Sequence, residues 1–541
     1  MTAPPRPSHA ERAAAFDLAA EAARFDGDFA TGINACVECC DRHPPGREAL
    51  VCVDRAGAVT RHGFGVLRER AARFADLLAR RGIGPGDRVA GFLPRTLDLV
   101  TVILGTWRAG AVYQPLFTAF GPKAVAYRLA GSGARLVVTD EANRGKLDGI
   151  EGLPPVLLAG AELEAALAAA DPGFAPVPRR GEDLFQMLFT SGTTGHAKGV
   201  PVPLKALMAF AAYMRDAVDL RAGDVFWNIA DPGWAYGLYY GITGPLALGH
   251  ATVLVDQPFS VDGLYRTVAD LGVTNLAGAP TAFRALMAAG PQAAAAVKGR
   301  LRAVSSAGEP LNPEVIRWFA EHLDVTVHDH YGQTETGMTV NNHHGLEHPV
   351  RAGAAGLAMP GYRVAVIDET GNELPPGTPG TLAVDCEASP LYFFPGYWEQ
   401  ARQPFIGRYY PTGDTVEQAA DGSIAFVGRN DDVITSSGYR IGPFDVESCL
   451  IEHPAVAEAA VVGKPDPQRT EIVKAFVVLR PGHAAGDALA AELAGFVKQR
   501  LAAHAYPREI EFMDELPKTP SGKIQRFLLR GGDGAAARAP R

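Results

Sequence analysis

The tightest constraint on this chain lies in residues 184–200. An apolar run (Phe185, Met187, Leu188, Phe189) suits a buried strand and leads directly into TSGTTGHAKG, a turn of hydroxyls and glycines. Thr190, Ser191, Gly192, Thr193, Thr194 and Lys198 offer backbone N–H groups, four hydroxyls and an ammonium in a short arc, which is the donor set a polyphosphate requires. The lysine does not directly follow the second glycine, so the Walker spacing is not met. In isolation the same composition also describes a plain surface loop.

Around this turn, strands and helices alternate. Helical spacing at 11–24, 66–81, 97–108 and 122–129 is interleaved with strand patterns at 49–53, 89–93, 111–113 and 134–139. The alternation resumes at 252–255 and continues through 261–271, 274–276, 281–288, 301–304, 313–321 and 325–328. This predicts an α/β fold with mostly parallel sheets in a large N-terminal domain. Near 362 the character changes to strands at 362–368 and 380–385, a β-rich subregion of the same domain. From 433 a small mobile α+β domain begins, with helices at 444–452 and 488–503 and strands at 457–462 and 474–479. The division falls at 1–430 and 431–541, with the hinge in GRNDDV (428–433) near Asp431. The tail from Gly531 is expected to lack structure.

A chain of 541 residues can bury a large core in more than one domain. A net charge of −9 with no basic block argues against nucleic acid as a partner. No apolar run reaches membrane-spanning length, and the charged N-terminal segment lacks a signal-peptide core, so a cytoplasmic protein without an integral membrane segment is expected. Six scattered cysteines do not make a disulfide framework, and Cys36, Cys39 and Cys40 lack the second pair that a zinc site needs. His343, His344, Glu347 and His348 include an i, i+4 histidine pair, but Gly345 and Pro349 argue against a metal-binding helix there.

Three further stretches carry chemistry. YGQTETG (331–337) follows a strand, in the position where parallel sheets bind ligands, and Glu335 within it suits Mg²⁺ while Thr334 suits a phosphate oxygen. YPTGD (410–414) supplies Asp414, a carboxylate able to accept from two ribose hydroxyls. TPSGKIQR (519–526) carries Lys523 on a turn near the end of the small domain, a mobile ammonium suited to charge that develops only in a transition state. Each also has a plain reading: a capped turn, an exposed turn aspartate and a solvated lysine.

Taken in order, TSGTTGHAKG, SSAGEP, YGQTETG, YPTGD, GRNDDVITSSGYRIGPFDVES and PKTPSGKIQR strongly resemble the acyl-adenylate-forming superfamily over nearly the whole chain. ADPGW (230–234), YGQTETG and SSGYRIGPFDVES narrow the likeness to the acetyl-CoA synthetase and medium-chain acyl-CoA synthetase branch. The resemblance implies a two-step ligase: a carboxylate attacks the α-phosphorus of ATP, and coenzyme A then displaces AMP from the acyl-adenylate. It implies that Thr190 to Lys198 wrap the β- and γ-phosphates. Gly308, Glu309, Pro310 and Tyr331 would line the adenine, with Asp329 at its exocyclic amine, and His330, Gly332 and Gln333 would belong to the same ATP-binding stretch. Thr334 would meet the α-phosphate, Glu335 the Mg²⁺, and Asp414 with Arg429 the ribose. Arg440 would approach the phosphate, and Lys523 would bridge carboxylate and α-phosphate.

After rotation about Asp431, the resemblance implies that Ser437, Gly438 and Tyr439 form the pantetheine tunnel, with Arg469, Lys498 and Tyr506 meeting coenzyme A. It places Trp234, Ala235, Tyr236, Tyr239, Ala307 and Gly332 at the acyl pocket. Acetate-specific relatives carry Trp where this chain has Gly332, which implies a longer cavity and an acid of about four to eight carbons. The alternatives are a carrier-protein-loading adenylating enzyme, or a ligase specific for acetate, propionate or an aromatic acid. A non-catalytic nucleotide-binding regulator would be free to lose Glu335 or Lys523, and this chain retains both. Lys523 also resembles a target of lysine acetyltransferases and deacetylases. His196 departs from the family, where Pro or Lys is commoner. The oligomeric state is not legible.

Overall fold

The strand–helix alternation resolves into three sheets. The computed structural model describes residues 6–190, 197–436, 439–466, 469–502, 504–519 and 523–530. The expected tail from Gly531 lies outside the described residues.

The largest sheet has thirteen strands. Its centre is parallel: Glu48–Val53, Thr252–Val255, Phe226–Asn228, Asn275–Gly278, Ala303–Ala307 and Val327–Gln333 lie side by side in that order. Beyond Val327–Gln333 every pairing is antiparallel, through Gly337–Asn341, Ala354–Ala358, Ile424–Arg429, Tyr409–Gln418, Gly380–Asp385 and Val364–Ile367. The β-rich subregion is thus an extension of the parallel sheet. The second sheet has six strands and ends in the antiparallel pair Leu184–Phe189 and Gly199–Pro203, which flank the hydroxyl-rich turn.

Helix Leu97–Arg108 is almost wholly buried, as its unbroken apolar run requires, and the Thr96 hydroxyl caps it by accepting from Leu99 N. Helix Ala206–Asp216 is likewise apolar on nearly every face and buried. Its end is tied to the N-terminal segment through buried charge. Glu21 pairs with Arg12 at 2.6 Å and with Arg215 at 2.9 Å, and Arg12 also reaches Asp216 at 3.1 Å. Cys36, Cys39 and Cys40 sit buried in and beside the single turn Val37–Asp41. His343, His344 and His348 lie in no helix, and the His344 ring stacks on His328 at 3.7 Å.

The small domain is a five-stranded sheet centred on Val456–Asp466 and Thr470–Leu479, covered by helix Pro443–Ile451. It touches the large domain through Asn312 Nδ2, which donates to Ser448 Oγ at 2.9 Å, and through Arg317 with Glu452 at 3.0 Å.

Two motifs fold differently from a sequence reading. YGQTETG is expected as a loop after a strand at 325–328, but the strand runs to Gln333 and returns as Gly337–Asn341, making a hairpin. Gly337 has φ +67°, the left-handed backbone that a tight return needs. YPTGD, for which an exposed turn aspartate is the plain reading, lies inside strand Tyr409–Gln418, where Gly413 at φ +75° kinks the backbone and Asp414 is buried.

The segment after Lys523 depends on one guanidinium. Arg526 donates two bonds to Glu447, at 2.8 and 2.9 Å, and lies 3.6 Å from Asp432. Glu447 is buried and also accepts from Val461 N at 2.8 Å. Arg526→Ala would leave that carboxylate without its cation, at a cost on the order of 3 kcal/mol. Faster amide exchange across residues 513–530, with the large domain unchanged, is the expected outcome, and unchanged exchange would show that Arg526 does not hold this segment.

Candidate active site

The hairpin Val327–Gln333/Gly337–Asn341 collects the polar groups of the cleft. Its edge residues are fixed by tyrosines from several elements. Tyr239 OH donates to Thr334 O at 3.2 Å, Tyr362 OH to Thr336 O at 2.8 Å, and Tyr240 OH accepts from Met338 N at 3.0 Å. The turn therefore has little freedom, and its side chains project at set positions.

Tyr331 and Gln333 lie on one face of the strand, as alternation requires, and converge on Asp414. Tyr331 OH donates to Asp414 Oδ2 at 2.5 Å, and Gln333 Nε2 donates to the same oxygen at 2.9 Å. Arg429 Nη1 approaches the other oxygen at 3.3 Å. Burial pushes the Asp414 carboxyl above its ordinary range, against the pull of Arg429, both hydrogen bonds and the charge of Lys523. Lys523 itself is exposed. Backbone bonds between Thr519 and Lys523 close the turn that carries it, Thr519 N to Lys523 O at 2.7 Å and Lys523 N to Thr519 Oγ1 at 3.1 Å.

Glu335 is buried at the hairpin turn and accepts from Tyr397 OH at 2.8 Å. Burial pushes its carboxyl upward, opposed by that hydroxyl and by the charges of Arg429 and Lys198. A desolvated carboxylate with one oxygen held by a neutral phenol fits a hard divalent cation that completes its shell with ligand oxygens. Lys198 lies beside it, its Nζ 4.7 Å from the Tyr397 ring centroid, and its backbone closes on Thr190 through Thr190 N to Lys198 O at 3.0 Å.

Asp329 lies on the same strand as Tyr331, at the carboxyl end of the parallel centre, level with Ser306 of the neighbouring strand. Its Oδ2 accepts weakly from Leu311 N at 3.3 Å, while its buried Oδ1 meets no donor among the described residues. Burial pushes this carboxyl up to about 8. An unpartnered buried acceptor of this kind can take a donor from a ligand or from water. Gly308 follows at φ +100° with open space where a Cβ would stand.

Several expected site residues are placed otherwise. The His330 ring is buried, with Nδ1 against Tyr213 OH at 2.7 Å and Nε2 against Asn342 O at 3.1 Å, so its side chain faces the core. The Glu309 carboxylate turns to Thr281 and Arg284, each at 2.9 Å. Tyr239 is fully buried, stacked on Phe210 at 4.3 Å and bonded to Thr334, and so supports the hairpin instead of lining an acyl cavity. Gly332 is corrected as well. A Cβ there would stand 2.1 Å from Gly337 O and 2.7 Å from Met338 Cα, so the position faces hairpin backbone and has no room for a side chain.

Trp234 packs against Phe117 at 5.6 Å and Phe120 at 5.2 Å, with Ala235 and Tyr236 half-buried beside it and Ala307 buried. In the small domain Lys498 Nζ lies 5.4 Å from the Tyr506 ring, whose hydroxyl accepts from Arg508 at 2.8 Å. Arg469 precedes strand Thr470–Leu479, with its backbone N–H on Asp466 at 2.9 Å. Asp431 pairs with Arg429 at 3.6 Å. Ser191, Gly192, Thr193, Thr194, Ser437 and Gly438 lie outside the described residues, as do the side chains of Tyr439 and Arg440. Sequence reasoning missed Phe117, Phe120, Arg508 and above all Tyr397. The only signal for Tyr397 was the aromatic-rich FFPGYW stretch.

Comparison with known proteins identifies the family. Residues 37–398 match the AMP-binding enzyme family and residues 445–523 the AMP-binding enzyme C-terminal domain. Acetyl-coenzyme A synthetase of Bacillus subtilis (strain 168) is 40% identical over 94% of this chain and 92% of that protein. The mitochondrial acyl-coenzyme A synthetase ACSM3 of Rattus norvegicus is 35% identical over 88% of this chain and 85% of that protein. The crystal structure of Brucella canis acyl-CoA synthetase is 61% identical, covers 97% of this chain and 98% of its own, and superposes with a TM-score of 0.80.

Gly332→Ala is expected to lower both thermal stability and nucleotide affinity, because the added methyl must displace the hairpin backbone; overpacking of this kind costs about 1–3 kcal/mol. A Trp at this position would report the same damage, not pocket size. An alanine variant with wild-type melting and ATP binding would show that the hairpin yields.

Proposed function

Because this chain belongs to the AMP-binding enzyme family, as an AMP-forming acyl-CoA synthetase, we propose that its acid is a short- or medium-chain fatty acid and that the cleft residues divide the work by charge. The reaction is ATP + carboxylic acid + coenzyme A to acyl-CoA + AMP + diphosphate. In its first step the substrate carboxylate attacks the α-phosphorus and diphosphate leaves. In its second the coenzyme A thiol attacks the acyl carbon and AMP leaves.

The first step joins two anions, so catalysis consists of positioning and charge neutralisation, with no protein nucleophile. The observation that carries the residue assignment is the pair of buried acceptors, Asp329 and Asp414, at either side of the hairpin. Asp329 Oδ1 would accept from the adenine amine, between Gly308–Pro310 and Tyr331. Asp414, held by Tyr331, Gln333 and Arg429, would accept from the ribose hydroxyls. Thr334 would donate to the α-phosphate, Lys198 and the 190–196 turn would hold the terminal phosphates, and Arg440 would approach them. Mg²⁺ held by Glu335 would supply charge neutralisation at the phosphates. Lys523, exposed on the small domain, would bridge the acid and the α-phosphate.

Thioester formation would follow rotation of 431–541 about Asp431, with Ser437–Tyr439, Arg469, Lys498 and Tyr506 serving coenzyme A. Acetylation of the exposed Lys523 by a lysine acetyltransferase, reversed by a deacetylase, would remove the ammonium. No described helix is long and apolar enough to cross a membrane. The six unpaired thiols favour a reducing, cytoplasmic setting.

For the acid, the carrying observation is that Ala235 and Ala307 bear only methyls, while Tyr239 is locked and cannot swing into the space. Trp234, Phe117, Phe120 and Tyr236 remain as an apolar wall. Each methylene that fits is worth on the order of 1 kcal/mol, which favours about four to eight carbons over acetate. The aromatic wall supports an aromatic acid as the second reading. Diphosphate release should be measured over acetate, propionate, butyrate, branched acids, hexanoate, octanoate and benzoate. Butyrate to octanoate should lead; benzoate first would select the second reading, and acetate first would overturn both.

Lys523→Ala should slow adenylation about 10²–10³-fold, by analogy with the loss of one transition-state donor, yet spare thioester formation from supplied acyl-adenylate. Equal loss in both half-reactions would overturn the assignment.

Asp329 adds a pH signature. Its unliganded carboxyl titrates at about 8, and an N–H donor from adenine would pull that value down. Binding would then release a proton at neutral pH, so AMP affinity should rise with pH up to about 8 and level off above. Comparison with Asp329→Asn removes the titration of AMP itself. Calorimetry in buffers of differing ionisation heat checks the proton release, and identical pH profiles for both proteins would refute the role.

A further inference from the structure

Tyr397 stands between the two opposite charges of the phosphate end of the cleft. Its hydroxyl donates to Glu335 Oε1 at 2.8 Å, and its ring face carries the Lys198 ammonium 4.7 Å from the centroid. The two charges lie close enough for Lys198 to stabilise ionised Glu335, yet no ion pair joins them among the described residues. The lysine is exposed and the carboxylate buried, and an ammonium this near can close onto it as an ion pair that a phosphate must then displace.

The placement of the ring is built in. Tyr397 N donates to Gln403 Oε1 at 2.7 Å, and Gln403 Nε2 returns a bond to Tyr397 O at 3.1 Å. The clamp requires Gly396, since a Cβ there would stand 2.4 Å from Gln403 Oε1 on a backbone at φ +117°. On the other side Trp398 N donates to Gly199 O at 2.9 Å, and a Cβ on Gly199 would press the Trp398 Cβ at 3.0 Å. The segment is thus pinned to the residue next to Lys198. Phe394 packs edge-on against the ring at 5.1 Å. Burial pushes the Tyr397 phenol above its ordinary range, which keeps it a neutral donor.

We propose that Tyr397 is a positioning residue, an aromatic spacer that holds Lys198 and Glu335 apart so that each meets the nucleotide uncommitted. The ring face retains an ammonium weakly and yields it to a phosphate, and the phenol satisfies one carboxylate oxygen without neutralising the charge. This rests on the reading of Lys198 as a phosphate ligand.

The test is ATP binding by titration calorimetry in EDTA, where no metal contributes. Lys198→Ala, Tyr397→Leu, Glu335→Gln and the double variant Tyr397→Leu/Glu335→Gln are compared, with Tyr397→Met in place of Leu if the leucine protein does not fold. Tyr397→Leu should weaken ATP about tenfold, because Lys198 is trapped on Glu335, and should cost little in the Glu335→Gln background, where no carboxylate remains to trap it. A merely structural tyrosine would lose the same factor in both backgrounds. Unweakened binding by Lys198→Ala would overturn the phosphate assignment and the spacer with it. Weakened binding by Lys198→Ala combined with no effect of Tyr397→Leu, or with equal effects in both backgrounds, would overturn the spacer alone.

Discussion

The cleft depends on one hairpin whose two strands leave no room between them. At Gly332 even a methyl would strike the carbonyl of Gly337, and three tyrosine hydroxyls bond the backbone of Thr334, Thr336 and Met338. Those tyrosines come from the 235–243 segment and from the start of the β-rich subregion, so the hairpin is where the parallel centre, its antiparallel extension and the helical layer meet. Because the turn is held from three directions, Tyr331, Gln333 and Glu335 are carried on a rigid support, and small differences in their spacing from Asp414 and Tyr397 are preserved.

That rigidity answers an electrostatic difficulty. A cleft for a polyphosphate here contains three buried carboxylates, Asp329, Glu335 and Asp414, each pushed upward by loss of water. None is simply cancelled by a close bidentate cation. Asp414 is held chiefly by a phenol and an amide with one guanidinium at 3.3 Å, Glu335 by a phenol, and Asp329 by a single long backbone bond. Neutral donors fix these side chains in place without cancelling them, and the exposed cations Lys198 and Lys523 form no ion pair with them among the described residues.

The small domain meets the large one through a mixed seam: the polar pairs Asn312 with Ser448 and Arg317 with Glu452, and apolar contacts that include Phe426 edge-on to Phe444 at 6.4 Å. Inside the domain, Arg526 is tied to Glu447 and Asp432, so the segment bearing Lys523 travels with its own sheet.

The local features of the chain were determined by its sequence. Helix Phe64–Arg80 and helix Asp487–Arg500 fall close to the spacing at 66–81 and 488–503, because an apolar stripe of period 3.6 has one way to bury itself. The motifs that resemble the acyl-adenylate-forming superfamily were legible as well, since glycine, hydroxyl and charge at fixed spacing are local properties. Tertiary structure alone decided which side of each motif faces the cleft. His330 and Glu309 lie within motifs yet turn to Tyr213 and to Arg284, partners more than twenty residues away in sequence. Gly332 reads as open space in the sequence and is filled by the opposing strand in the fold. Tyr397 has no motif chemistry of its own, and its proposed role arises only because one backbone bond, Trp398 N to Gly199 O, pins its segment to the residue next to Lys198. Register and long-range packing choose between the two faces of a strand, and neither is encoded within a motif's own length.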